Sequence, residues 1–137
     1  MNQQTWQTFS YPKFALQFQY PETTLTGQPV EIDDIRVHFR AKDSSEFYFE
    51  VSRQLHHSAQ EVYEREKAYI EKQWAEAVVR ALLPITIAGH PAFEFTFQWA
   101  GGERTVLLIE KEEALYRVIY DPRAPLNLEA LSTLEIL

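Results

Sequence analysis

The chain contains no cysteine. That removes disulfides, zinc–thiolate centres, iron–sulfur clusters and cysteine nucleophiles in one step. Glycine is scarce: there are 4, with one Gly-Gly pair at Gly101-Gly102. So few cannot build a phosphate-cradling loop or a dinucleotide fingerprint. No stretch approaches the roughly 20 apolar residues of a membrane-spanning helix. Positive charge is in deficit, since 13 Lys and Arg against 20 Asp and Glu leave a formal net charge of −7. Repulsion from phosphates opposes nucleic-acid binding, and anionic membrane surfaces are disfavoured on the same ground. The opening Met1-Asn2-Gln3-Gln4-Thr5 has neither the basic start nor the apolar stretch of a secretory signal, so the expected compartment is the cytoplasm.

What is present suits one domain spanning 1–137. A domain of this size buries roughly two-thirds of its unfolded surface and needs neither disulfide nor metal to stay folded. The order of elements reads as strands, one long helix, more strands and a short helix. A weak strand over Thr5–Ser10 is followed by a turn at Tyr11-Pro12-Lys13. Phe14, Leu16, Phe18 and Tyr20 then alternate with small or polar residues, the period of a half-buried strand. Pro21 ends that run, and Glu22–Pro29 reads as a loop. Val30–Arg40 and Glu46–Leu55 alternate again, joined by a turn at Asp43-Ser44-Ser45, and pair as a hairpin. Glu46 or Glu50 is placed to meet Arg36 or Arg40 across it.

Ser58 and Glu61 form the S-x-x-E pattern of a capping box. From Ala59 to about Ala81 there is neither glycine nor proline. Tyr63, Ile70, Trp74, Ala77, Val78 and Ala81 fall on one face, which predicts a long amphipathic helix laid on a sheet with Trp74 as its anchor. Glu61 with Arg65 and Glu76 with Arg80 stand at the i,i+4 spacing that supports such a helix. Leu83–Ile87 predicts a short strand, and Phe93, Phe95, Phe97 and Trp99 alternate cleanly. Gly101-Gly102 suits a hairpin turn. Glu103–Lys111 and Ala114–Asp121 are apolar on both faces, which puts them mid-sheet. After Pro122 and Pro125, Asn127 is placed to cap a last helix carrying Leu128, Leu131 and Leu134. The expected fold is α+β, a mainly antiparallel sheet of roughly seven strands with the long helix on one face and a short C-terminal helix.

Catalytic groupings are absent from the pattern. The adjacent His56 and His57 diverge, and His38 and His90 lie elsewhere, so no metal-ligand spacing arises. Glu31, Asp33 and Asp34 lack a calcium-loop setting and suit a solvated strand edge. Glu110–Glu113 reads as a hairpin tip. Ser44, Ser45 and Ser58 lack a nucleophile-elbow context, and Ser58 is already explained as a cap. Phe93, Phe95 and Phe97 are core by their period. Tyr11, Tyr48 and Trp99 are the aromatics best placed for a partner-binding surface, the role in which Tyr and Trp are enriched.

Several segments look familiar. Tyr11–Pro21 (YPKFALQFQYP) is similar to an opening N-P-x-x-G-F-x-F-x-Y-P pattern. Ile85–Phe95 (ITIAGHPAFEF) is similar to v-x-l-x-G-x-P-A-y-x-f, and Leu115–Tyr120 before a terminal helix completes the order. In these the chain resembles the PsbP superfamily, which includes the photosystem II extrinsic PsbP proteins, the nuclear Ran-binding Mog proteins and many bacterial relatives. The departures are Ala15 where glycine is frequent, and Leu134-Glu135-Ile136-Leu137 at the close. The resemblance implies an α/β/α sandwich with antiparallel strands and a non-catalytic binding role, or a chaperone for a secreted effector. It transfers no functional residue and, with no transit peptide visible, no photosynthetic role. The expectation is therefore a non-enzymatic protein-binding or adaptor module without a cofactor. The rivals are a small-molecule pocket between sheet and helix, possibly enzymatic, with His38, Glu50 or Tyr48 converging in it, and a homo-oligomer formed through an exposed strand edge.

Overall fold

The computed structural model describes residues 5–11, 15–21, 25–33, 36–42, 48–55, 58–87, 89–112 and 114–136, with backbone alone for residues 11, 25–33, 36–42, 48–49 and 54–55. The expected turns around Pro12-Lys13 and Asp43-Ser45, with Asp34, His56 and His57, lie outside the described residues.

Two antiparallel sheets form. The larger orders its strands β3 (Leu25–Asp33), β4 (Arg36–Lys42), β5 (Tyr48–Leu55), β10 (Ala114–Tyr120), β9 (Gly102–Lys111) and β8 (His90–Trp99). Two short strands, β6 (Val78–Val79) and β7 (Leu83–Ile87), share the outer edge of β8. The smaller sheet orders β1 (Trp6–Tyr11), β2 (Leu16–Pro21) and β11 (Glu135–Ile136). Helix α1 (Ala59–Gln73) covers one face of the large sheet. The small sheet and α2 (Pro125–Ser132) cover the other. The α+β class, the antiparallel sheet and the helix on one face are as the sequence predicts, and β9 and β10 are central, as their two-sided apolarity requires.

Strand parity splits the core in two. On β9, Leu107 and Ile109 face the small sheet while Val106 and Leu108 face α1. On β10, Tyr116, Val118 and Tyr120 face the small sheet while Leu115 and Ile119 face α1. The outer layer is fastened by the Gln19 N–H, which donates to Thr133 Oγ1 at 2.8 Å just past α2.

Four expectations are corrected. The first two strands do not extend the main sheet, whose eight strands are close to the roughly seven expected; they pair with each other, and β2 pairs in turn with the C-terminal β11. The stretch read as a loop over Glu22–Pro29 is largely strand β3, and Val30–Arg40 is divided between β3 and β4. Gly27 and Pro29 disguise it, but β3 is an edge strand, where a missing N–H is tolerated, and its register shifts between Leu25 and Gln28. The β4–β5 hairpin does form, with Arg40 opposite Glu50.

Helix α1 is shorter than its pattern predicts. Ser58 caps it, its Oγ accepting from the Glu61 N–H at 3.2 Å. The Ala59 N–H donates to Glu110 Oε1 at 2.6 Å, so a side chain from the hairpin tip shares the capping. The helix stops at Gln73 rather than near Ala81. Trp74 is already extended, and the β-branched pair Val78-Val79 joins the edge of β8 opposite Gln98 and Phe97. The Arg80 N–H donates to Thr96 O at 2.9 Å, so Glu76 and Arg80 are not a helical pair. Finally, Asn127 does not cap α2. Pro125 takes the first turn, as its fixed φ favours. Asn127 is buried within that same turn, its Nδ2 donating to Asp121 O at 2.8 Å, and Leu128 is exposed.

Candidate functional site

Strand β8 sends Phe95, Phe97 and Trp99 to the α1 side. The Phe95 ring meets Tyr63 edge-on at 5.0 Å between centroids, and Phe97 lies 6.5 Å from Phe95 and 5.3 Å from Trp99. The early end of α1 turns Trp74 onto Trp99, with ring centroids 5.5 Å apart and planes 33° from parallel. A ladder of five aromatics therefore runs Tyr63, Phe95, Phe97, Trp99, Trp74, beginning in the core and ending at the surface, where Trp74 is 37% exposed.

Gly101 makes room for this end. A Cβ there would sit 2.9 Å from Trp99 Cε2 and closer still to Nε1, so the indole can fold back over the hairpin turn only because that residue has no side chain. At Gly102, φ is +140°, a conformation glycine adopts freely.

Beside the ladder runs a groove of about 480 Å³ between α1 and the ends of β8, β9 and β10. Tyr69, Ile70, Trp74, Phe97, Trp99 and Ile119 supply its apolar lining, and Arg65, Glu66, Arg104 and Arg117 its charges. Arg117 interrupts the otherwise buried strand β10. Its Nε donates to Glu66 Oε1 at 2.6 Å and its Nη2 pairs with the same oxygen. Glu66 Oε2 is buried with no hydrogen-bond partner among the described residues. Arg104 lies 5.3 Å from the Trp99 ring centroid, within cation–π range. Its Nη1 donates to Glu103 O at 2.8 Å and pairs with Asp121 Oδ2 at 3.5 Å. Asp121 also accepts from the Arg123 backbone and side chain. Partial burial pushes the Asp121 carboxyl up, but the hydrogen bonds from Arg123 and the charges of Arg123 and Arg104 outweigh it, and the net shift is downward.

Three of the groove's ionisable groups are arginines, which do not act as bases near neutrality, and the one carboxylate is locked by a guanidinium. Among the described residues, no three of His, Cys, Asp and Glu cluster as metal ligands, and no helix is long and apolar enough to cross a membrane.

Of the aromatics singled out from sequence, Trp99 is in the groove. Tyr11 and Tyr48 have side chains outside the description, and their backbones are remote: Tyr11 ends β1 in the other sheet, and Tyr48 opens β5, three strands from β8. The pocket expected around His38, Glu50 or Tyr48 is not this one, since none of the three lines it. Trp74, read from sequence as the anchor of the helix, and Arg65, read as the helical partner of Glu61, were not read as site residues, and neither were Tyr69, Glu66, Arg104 and Arg117. The available signals were a lone arginine within the apolar run Leu115–Tyr120 and a tyrosine, Tyr69, off the apolar stripe of α1.

No family model and no curated protein matches the sequence. A solved structure does match: the solution structure of cyanobacterial PsbP (CyanoP) from Synechocystis sp. PCC 6803 superposes with a TM-score of 0.66. The match covers 99% of this chain and 95% of that one, at 12% identity. At that identity the likeness is one of fold, and the fold of this chain is PsbP-like.

Proposed function

We propose that the protein is a non-catalytic binding or adaptor module that holds a protein partner in the groove between α1 and the large sheet. The observation that carries this is the Trp74–Trp99 pair at the groove mouth, stacked but left partly open to solvent. Burying exposed aromatic area is favourable by roughly 25 cal/mol per Å², and Trp, Tyr and Arg are the residues that dominate protein-interface energetics. All three types line this groove. A PsbP-like fold is compatible with such a role.

The small-molecule reading draws on the groove's volume, which lies within the roughly 300–1,000 Å³ of ligand sites. Its open side favours a protein surface instead: Tyr69 on its rim is 62% exposed, whereas small ligands are usually enclosed.

The test is crosslinked capture from the native host with quantitative mass spectrometry, comparing the unaltered protein with Trp74→Ala and with Leu128→Ser on the opposite layer. A partner retained by Leu128→Ser and lost by Trp74→Ala is expected. Equal recovery by all three would remove the groove from the function.

A further inference from the structure

We propose that the groove takes an acidic segment of its protein partner, in which an aromatic side chain stands between two carboxylates. The inference rests on the binding role proposed above and names what is bound.

On a chain of net charge −7, the groove's ionisable lining is Arg65, Arg104 and Arg117 against Glu66 alone. Glu66 is neutralised in place by Arg117. Arg65 is exposed and makes no hydrogen bond or ion pair among the described residues. Arg104 shares its charge with Asp121 but remains over the Trp99 face, at the mouth. The groove is thus a positively lined place on an acidic molecule, and its charge complements an acidic partner and repels a basic one. Four of its six apolar residues are aromatic, which suits stacking of an aromatic side chain.

The spacing of the charges fits one kind of segment. Arg117 is opposite Leu108 and Arg104 is opposite Phe97, so the two arginine-bearing levels are separated by the four residues from Leu108 to Arg104 along β9. At about 3.3 Å per residue that is about 13 Å. At the first level stands α1 with Glu66 on Arg117 and Arg65 next to it in sequence; at the second stand Arg104 and Trp99. Between them stands Ile119, opposite Val106, with Ile70 one turn after Glu66 on α1, and Phe97 stands at the second level. An extended segment reading acid-x-aromatic-x-acid matches this layout, since residues i, i+2 and i+4 lie on one side of a strand and its carboxylates are also about 13 Å apart. The aromatic then enters the apolar middle while one carboxylate meets Arg65 and the other Arg104.

The test uses four fluorescently labelled peptides on a Gly/Ser background, read by anisotropy against the full chain: acid-x-tryptophan-x-acid with glutamates, the same with glutamines, the same with lysines, and the glutamate peptide with alanine for tryptophan. The glutamate–tryptophan peptide is expected to bind, about tenfold more tightly than the glutamine form, as two rim ion pairs allow. That margin should shrink as salt is raised. The alanine and lysine forms should bind least. Arg65→Glu, a change at an exposed helical position that leaves the melting temperature in place, should lose the glutamate preference and bind the lysine peptide better. Equal binding of glutamate and glutamine forms, or an unchanged preference in Arg65→Glu, overturns the inference while leaving the groove as a binding site. Failure of all four peptides also overturns it, and host capture with Trp74→Ala then decides separately whether the groove binds protein at all.

Discussion

The two faces of the large sheet are built from the same three central strands and end differently. Toward the small sheet, Phe9, Leu16, Phe18, Tyr116 and Val118 close into a core roofed by β1, β2, β11 and α2. Toward α1, Val106, Leu108 and Leu115 are equally enclosed, yet the same layer opens at Trp74 and Tyr69. The difference is one of cover. Helix α1 has 15 residues, about 22 Å at 1.5 Å each. Strand β8 has 10 residues, about 33 Å. A single helix shorter than the strands beneath it leaves their ends unroofed, whereas a sheet and a helix together do not.

The strongest way to break this comparison is to remove one large side chain from each face. Phe18→Ala, in the closed core with no exposure, is expected to lose about 3–5 kcal/mol in urea unfolding. Trp74→Ala, larger but partly in solvent already, should lose less than about 1 kcal/mol, because little cavity forms where the groove is already open. Similar losses at the two positions would mean that the groove is core and that both proposals built on it are wrong.

A smaller effect tests whether the open face is held by its charges. Glu66→Ala strands the Arg117 guanidinium within β10, and losing hydrogen bonds to a charged group should lower stability by about 1.5–3 kcal/mol. Removing the stranded charge as well, in Glu66→Ala with Arg117→Met, should recover part of that. Full additivity of the two changes in a double-mutant cycle would show that the pair is not coupled.

The closed face has a cost of its own. Ala15 stands at φ +54°, in the left-handed region, immediately before β2. An L-residue there is disfavoured by about 1–2 kcal/mol. Ala15→Gly relieves that while adding freedom to the unfolded chain, so a net gain of about 0.5–1 kcal/mol is expected in urea unfolding. A loss would mean that the alanine methyl contributes more by packing than the backbone costs.

Much of the fold was legible because its signals are local and periodic. The alternation through Phe93, Phe95, Phe97 and Trp99 gave β8, the two-sided apolar runs gave the central strands, and Ser58 with Glu61 gave the helix start. Ala15, noted from sequence as a departure where glycine is frequent, occupies a backbone conformation that glycine favours. Less legible was anything set by distant pairing. Nothing local announces that β2 pairs with residues 135–136 and carries β1 away from the main sheet, or that Val78-Val79 leaves a helical pattern for a strand edge. That last point concealed the site. A helix from 59 to 81 would reach about 34 Å, as long as β8, and would seal the face. The helix that forms stops at Gln73, and the groove opens along its last turns and past its end at Trp74.

The smallest effect expected is a pH dependence where β10 runs out beside the open end. Asp121 binds Arg123 and Arg104, and Arg104 in turn lies over Trp99. Its carboxyl is held below the ordinary value of 3.8 because the arginine contacts outweigh partial burial. A carboxyl with a depressed folded pKa stabilises the folded state at pH above its unfolded value, and that contribution is lost as pH falls through the folded one. Asp121→Asn should therefore melt below the unaltered protein from neutrality to about pH 5, with the gap closing as pH falls past 3.8 and vanishing below it. Protonation also releases Arg104 from its carboxylate, so Trp99 fluorescence should change over the same range in the unaltered protein and stay flat in Asp121→Asn. If the melting gap persists at the lowest pH, the Asp121 side chain acts there through its shape and neutral hydrogen bonds. The end of the groove would then be fixed by packing, as the closed face is, rather than by charge.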